Sequence, residues 1–460
     1  MALKTITVYK KDIQSNIAKR ADSRFWIIQK LLVKFFDTHK YEYLDDLKEY
    51  YANGLEFRDF DDSFGTPYIR VSDMKQPNIN LQAIKYVDVK LDEIKEKYRI
   101  NNKTILLSRS GNVGIASLPD KYVKEAIISS HVIKIQLKDM FSPFYTVAIL
   151  NSKIGKLQIY SLINGQLIKE INRSSLKQIK IALLENYEEI DKKMKQANKM
   201  HEQSLDLINQ AQQLFYQKLG IDFSKIKKEN VYSVNLSHFK DADLWTPKYS
   251  YPLYVNTLKA IKQKWQTVSI GEIATVKKGD EVGSENYNTY LEKKDSDIPF
   301  IRTSDLVNYE VDQFPDFYIP KDIYEELNQD IKAGDVLFNN DGKIGLVAML
   351  TPQDKVILQS HIRRIRLKKE AIEKYNLTQE YLFLVLTIRE IAKYQAERFT
   401  VIQSTIPTIS NHLIDIEIPI LDKISIEEIT NLVKEAFKLK DEKKKLIKEV
   451  REEIDNYSEI

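Results

Sequence analysis

Two short segments of this sequence carry side chains suited to reading hydrogen-bond patterns on a polar surface. Ser108-Arg109-Ser110-Gly111-Asn112 and Asn339-Asn340-Asp341-Gly342-Lys343 each follow an apolar run and set forked donors, amides or a lysine beside a glycine. Arginine pairs bidentately with guanine, asparagine with adenine, and lysine with phosphate, so turns bearing them suit direct readout of a duplex. A tight hairpin uses the same Asn and Gly for its backbone geometry, and both readings stand at this point. The candidate DNA-contacting residues of the two turns are Ser108, Arg109, Ser110, Asn112, Asn339, Asn340, Asp341 and Lys343. Arg363, Arg364 and Arg366, with Lys368, form a basic strand-like run that suits either a phosphate track or a solvated charged strand. Arg302 joins the candidates, although the Arg-x-Ser-Asp in which it and Arg70 sit reads more readily as an internal salt bridge or a cap. His131 and His361 fall between aliphatic residues and read as buried, hydrogen-bonded histidines rather than catalytic ones.

These residues recur because the sequence itself recurs. Pro67-Tyr68-Ile69-Arg70-Val71-Ser72-Asp73 returns as Pro299-Phe300-Ile301-Arg302-Thr303-Ser304-Asp305, identical at five of seven positions. Ile105 to Ile115 faces Val336 to Leu346 with Gly111 on Gly342 and Gly114 on Gly345, and Ile127 to Ile133 faces Ile357 to Arg363. The spacing stays near roughly 230 residues throughout, too long for a solenoid period and right for duplicated domains. Ala21-Asp22-Ser23-Arg24-Phe25-Trp26 resembles Asp241-Ala242-Asp243-Leu244-Trp245, and Lys177 to Leu184 resembles Leu413 to Leu421. Within each copy, alternating runs such as Thr66 to Val71, Thr104 to Ser108 and Ala126 to Leu137 predict strands, while Ile27, Leu31, Phe35 and Leu253, Leu258, Ile261 show helical spacing.

After each copy comes a long stretch with apolar residues near a three-four repeat. Ile190, Met194, Ala197, Leu205, Ile208, Phe215 and Leu219 form the first seam; Ile429, Leu432, Ala436, Leu439, Leu446, Val450 and Tyr457 form the second. His201 and Lys443 fall near the middle of these seams, where a polar group either fixes register or snorkels to solvent. Each helix of about 35 residues spans roughly 50 Å, the length of about fifteen base pairs. The expected fold is mixed α+β: two similar globular domains separated by two long antiparallel coiled-coil helices, with a pseudo-two-fold relation. The expected boundaries are 1–184 and 236–421 for the two domains, 185–235 for the central spacer helix and linker, and 422–460 for the C-terminal spacer helix. The residues expected to pack the spacer are Ile190, Met194, Ile208, Phe215, Leu432, Leu439, Leu446 and Val450. Two unlike heads at a fixed spacing would read two unlike half-sites around an unread gap.

Composition bounds the chemistry. The 460 residues are long enough for two or more cores, 43% are hydrophobic and 30% charged, and the net charge of +4 is modest. No cysteine occurs, which removes disulfides, thiolate nucleophiles and sulfur-ligated zinc. Met1 to Lys19 lacks the apolar core of a signal peptide and no run of about eighteen apolar residues appears, so a soluble, cytoplasmic chain without membrane contact is expected.

The chain resembles the specificity subunits of type I restriction-modification enzymes along essentially its whole length. The likeness is carried by Trp245-Thr246-Pro247, Val268 to Ile273, Ile298 to Arg302, Gly334 to Phe338, Asp341 to Gly345, Gln359-Ser360-His361, Ser404-Thr405-Ile406-Pro407 and Ile416 to Ile420. The first half departs from the pattern, with Asn101-Asn102-Lys103 where Gly334-Asp335 stands and no clear match to Ser404-Thr405-Ile406-Pro407. The resemblance implies that the two domains are target-recognition domains, each reading one half-site of double-stranded DNA, and that the helical regions dock two modification subunits that methylate adenine with S-adenosylmethionine. It also implies restriction subunits that use ATP and Mg for translocation and cleavage. On this chain itself no catalytic residue, cofactor or metal is expected. It contains neither an Asn/Asp-Pro-Pro-aromatic loop nor a phosphate-cradling Gly-x-x-x-x-Gly-Lys-Ser/Thr turn, and Glu442-Lys443-Lys444 is a chance match to a nuclease metal motif in so charged a helix. The competing readings are a self-sufficient DNA endonuclease or modification enzyme, a scaffold that binds proteins only, and the recognition subunit of a two-subunit type II enzyme.

Overall fold

The computed structural model describes residues 8–9, 11, 22–61, 64–101, 103–163, 169–229, 231–235, 244–283, 297–403 and 405–457. Ala21, Asp241 to Asp243, Asn102 and Ser404, together with most of Met1 to Lys19, lie outside the described residues. The chain divides into two compact units, one of residues 1–202 and 443–460, the other of residues 203–442.

In the first unit a four-stranded antiparallel sheet runs Lys48–Asn53, Val132–Leu137, Thr104–Ser108, Ala116–Ser117. Both central strands are buried at every position, because both faces of the sheet are covered. Ile105, Leu107, Ile133 and Ile135 pack on helical residues such as Tyr145, Ile149 and Ile159, while Leu106 and Val132 pack on Ile69 and Ile128 of a three-stranded sheet. That second sheet runs Lys85–Val87, Thr66–Ile69, Ile127–Ile128, its last pair parallel. Alternation of side chains across the strand sends successive apolar residues to opposite cores. Helix Ser23–Thr38 begins where Asp22 accepts the Phe25 amide at 2.9 Å, and it buries Phe25, Ile28, Leu32, Phe35 and Phe36. Ile27 and Leu31, read as core from spacing, flank that face and are half-buried.

The second unit repeats the plan. Its four-stranded sheet runs Ala274–Lys278, Ile362–Leu367, Val336–Asn339, Val347–Met349, and its three-stranded sheet runs Tyr318–Ile319, Ile298–Ile301, Ile357–Leu358. Leu106 lies opposite Lys134 in the first unit, as Leu337 lies opposite Arg364 in the second. The recurring Arg-x-Ser-Asp is a short 3-10 turn in both copies. Asp73 and Asp305, fully buried, each accept the backbone amide of the arginine three residues earlier, at 2.9 and 3.0 Å. Two additional hairpins occur here, Leu306–Val307 with Glu310–Val311, and Val401–Gln403 with Ile406–Thr408.

The long helices are Tyr187–Leu219 and Lys423–Tyr457. In the first unit Ile190 and Met194 share a core with Val450 and Ile454, and Lys193 pairs with Glu453 at 2.9 Å. In the second, Ile208 and Phe215 share a core with Val433, Ala436 and Phe437, and Lys218 pairs with Glu428 at 2.7 Å. Within each unit the two helices therefore pack antiparallel. The second seam is buried as expected at Ile429, Ala436 and Val450 but shifts by one residue at the alternate positions: Leu432, Leu439 and Leu446 are half-buried, whereas Val433, Lys440 and Ile447 are buried. Lys440 Nζ donates to the Asn308 carbonyl at 2.8 Å and lies 3.4 Å from the Glu310 carboxylate, so hydrogen bonds and charge compensate its burial. His201 is likewise fully buried, 3.4 Å from the buried Asp120, and Lys443 is 6% exposed, so neither snorkels.

Candidate nucleic-acid interface

The two glycine-bearing turns are superposable hydrogen bond by hydrogen bond. In the first, the Ser108 amide donates to the Ile115 carbonyl and the Gly114 amide returns to the Ser108 carbonyl, both at 3.0 Å. In the second, Asn339 to Leu346 and Gly345 to Asn339 repeat these bonds at 2.9 and 3.1 Å. Gly111 and Gly342 adopt φ of 74° and 76°, and Gly114 and Gly345 φ of 91° and 90°, which L side chains rarely adopt. The first residue of each turn ties it shut from inside: Ser108 Oγ donates to the Asn112 carbonyl at 2.6 Å, and Asn339 Nδ2 donates to the Lys343 carbonyl at 2.6 Å. Ser108 and Asn339 are fully buried. What the turns present outward is Asn112 in one and Lys343 in the other, both exposed.

The middle of each turn is held by a histidine. Ser110 Oγ lies 2.7 Å from His131 Nδ1, and Asp341 Oδ2 lies 2.9 Å from His361 Nδ1. Hydrogen bonds from Thr408, His361 and Asn340 outweigh burial and hold the Asp341 carboxyl below its ordinary value. The histidines are not buried, as their aliphatic flanks suggested: His131 is exposed and the His361 side chain is 38% exposed. Each stands on the bend just before its strand, Val132–Leu137 or Ile362–Leu367, with one ring nitrogen bound to the turn.

The remaining candidates turn inward to differing degrees. Arg109, half-buried, forms an ion pair with Glu170. Asn340, buried, donates to the Ser410 carbonyl at 3.2 Å. Arg302 lies along the Phe317 ring at 3.9 Å and beside Asp305 and Asp316. Arg364 is 3% exposed and donates to the Asp330 carbonyl at 2.9 Å. Arg366 forks onto Asp335 at 2.6 and 2.7 Å and onto Asp330, whose carboxyl is held at about 2 by Arg366 and Lys332. Arg363 donates to the Ser360 carbonyl at 2.6 Å. Arg364 and Arg366 are therefore matched by carboxylates inside the domain, while Arg363 and Lys368 are bound to main-chain carbonyls.

Two features escaped the sequence reading. Lys134, the counterpart of Arg364, is completely buried; Nζ donates to Tyr50 Oη at 2.9 Å, and burial lowers its pKa to about 8. Inside an apolar run a single lysine gives no periodic signal, and only the strand pairing identifies its equivalence to Arg364. The second feature is the partner of each turn. Asn340 O accepts the Ile409 amide and Gly342 donates to Pro407 O, while Arg109 O accepts the Ile171 amide. The stretch at Glu170 and Ile171 thus occupies in the first domain the place of Thr408 and Ile409 in the second, although no sequence match to Ser404-Thr405-Ile406-Pro407 was visible there.

Among the described residues no helix is long and apolar enough to cross a membrane. A model of the type I restriction modification DNA specificity domain matches the chain twice, over residues 40–214 and 262–449. No curated protein matches it. Among solved structures, the chain is similar to the type I restriction-modification S subunit from M. genitalium, at 15% identity and a TM-score of 0.34, covering 92% of this chain and 96% of that one. It is similar also to the HsdS subunit from Thermoanaerobacter tengcongensis, at 13% identity and a TM-score of 0.27, covering 91% and 96%. A third similar chain comes from a structure of complex assembly and conformational transition in the type I R-M system, at 14% identity and a TM-score of 0.28, covering 91% and 95%. With both domains matched and most of its length covered, the chain belongs to the family of type I restriction-modification DNA specificity subunits.

Proposed function

We propose that this chain selects the DNA sequence for a type I restriction-modification complex in the cytoplasm, binding a bipartite, asymmetric site and docking two methyltransferase subunits together with restriction subunits. On this reading it has no catalytic site; S-adenosylmethionine, ATP and Mg are used by the partner subunits. The observation that carries it is a duplicated specificity domain whose two turns share one backbone and differ in what they present, Asn112 in one and Lys343 in the other. A common frame with different outward side chains is what two different half-sites require. The antiparallel helix pairing within each unit supplies continuous helical surface on which other subunits can dock.

Genome-wide mapping of methylated adenines in the source cell tests this reading. The expected result is a two-part motif with unlike halves and a fixed gap; it disappears on deletion of this chain and returns on complementation. A continuous palindromic motif, or methylation unaffected by the deletion, overturns it. Incubation of the purified chain with duplex DNA and Mg tests the lack of catalysis, and cleavage there would support a self-sufficient endonuclease instead.

A further inference from the structure

The hairpin Val401–Gln403 with Ile406–Thr408 lies in an uncharged segment and exposes apolar side chains. Phe399 to Asn411 contain no charged residue, in a protein whose residues are 30% charged. Ile402 is 73% exposed and Ile406 48% exposed. Ile402 lies opposite Pro407, and Ile406 is the next residue, so the two isoleucines project from opposite faces of the ribbon. Exposed two-stranded edges are ordinarily guarded by lysine or other charges, and an isolated ribbon is marginal in water. This one is instead fastened to the second glycine turn, through the Gly342 amide to Pro407 O at 2.8 Å and the pairing of Asp341 with Thr408.

Cations flank that junction. Lys343 is exposed on the turn, and a side-chain carbon of the exposed Lys393 lies 3.9 Å from where a Cβ on Gly345 would stand. In the first domain the corresponding glycine, Gly114, meets the buried apolar Ile159 instead. The carboxylate of the second turn, Asp341, is engaged by His361. An uncharged ribbon with apolar tips between two lysines complements a polyanion that has apolar features at its base edges. The major groove admits a two-stranded ribbon and offers thymine methyl groups to apolar side chains, with phosphates along both walls.

We propose that the ribbon Val401–Thr408 enters the major groove of the half-site read by the second domain. The ribbon enters end-on, so that Ile402 on one face and Ile406 on the other both reach base edges there, and Lys343 and Lys393 hold the adjacent phosphates. This inference rests on the DNA-recognition reading above and assigns the second domain an apolar contact beside the turn.

The test uses the full chain with its modification subunits and a duplex carrying the motif found by methylation mapping. A photo-crosslinking benzoyl-phenylalanine at position 402 or 406 should label bases of one half-site only, and the same probe at position 112 should label the other. Ile402→Ser with Ile406→Ser should weaken binding about tenfold at every salt concentration, as loss of an apolar contact does. Lys343→Ala with Lys393→Ala should lower the slope of log affinity against log salt by about two. Crosslinks to a modification subunit, crosslinks to neither half-site while the duplex stays bound, or unchanged affinity of the isoleucine variant overturn the inference. If the unmodified complex binds no duplex selectively, the recognition reading itself fails.

Discussion

The two central strands solve one packing problem with different chemistry. In the first domain the space between the sheets holds Lys134 with Tyr50, and a neutral contact of Thr104 with Gln136 at 3.3 Å. In the second, the equivalent places hold Arg364 and an Arg366–Asp335 fork, joined by Asp330. The backbone pairing is the same in both. A buried polar position on a strand thus constrains hydrogen-bond satisfaction rather than residue type, and a guanidinium with two carboxylates meets it as well as an amine with a phenol. The difference lies in consequence: removing one member of a charged network leaves a buried charge short of a partner, whereas removing the Thr104 hydroxyl, which meets Gln136 and both the backbone amide and the side chain of Asn101, leaves only neutral hydrogen bonds unmet.

The largest effect follows directly. Asp335→Ala is expected to destabilise the second domain by about 3–5 kcal/mol, because Arg364 and Arg366 lose one of the two carboxylates they share and keep only the more exposed Asp330, while Thr104→Val costs the first domain about 1–2 kcal/mol. Native-state hydrogen exchange of the two sheets measures both in one molecule, and equal losses would erase the contrast. Next comes pH. Lys134 titrates at about 8 in the fold against 10.5 unfolded, so between these values the unfolded chain binds more protons and stability rises with pH. Relative to Lys134→Met, the unsubstituted first domain should gain about 2 kcal/mol on going from pH 7.5 to pH 10. Urea unfolding followed by Trp26 fluorescence, with Trp245 and Trp265 replaced by Phe, reads this gain; a constant gap would mean that the lysine is not desolvated. The smallest effect should be a matched one. Gly111→Ala and Gly342→Ala meet no atom within 4 Å and differ only in a left-handed φ, so each should cost about 1 kcal/mol and equally. Unequal costs, measured by the same exchange experiment, would show that the turns are not equivalent.

Much of this was legible in the sequence because backbone requirements repeat. Gly111, Gly114, Gly342 and Gly345 mark positive-φ positions, and Asp73 and Asp305 mark caps, so matched residues revealed matched turns. Charge was less legible. Arg363, Arg364 and Arg366 look like a surface track in the sequence, yet the carboxylates that occupy Arg364 and Arg366, Asp330 and Asp335, come from a different part of the chain and reach them only in the fold. At Leu439 the C-terminal seam was misplaced by one residue for the same reason: counting only apolar residues favoured Leu439, while the buried position belongs to Lys440, matched by Glu310 and Asn308 from a distant hairpin. His131 and His361 misled because their aliphatic neighbours begin a buried strand, whereas the histidines stand on the bend before it.

Closing each turn through the side chain of its first residue, Ser108 or Asn339, has a consequence for how such a protein changes over generations. The knot is tied on a main-chain carbonyl, which every amino acid supplies, so this closure survives a change of side chain at the tip. Substitutions at Asn112 or Lys343 can therefore be sampled without untying the turn, and a lineage can drift toward new targets while the backbone frame beneath stays intact.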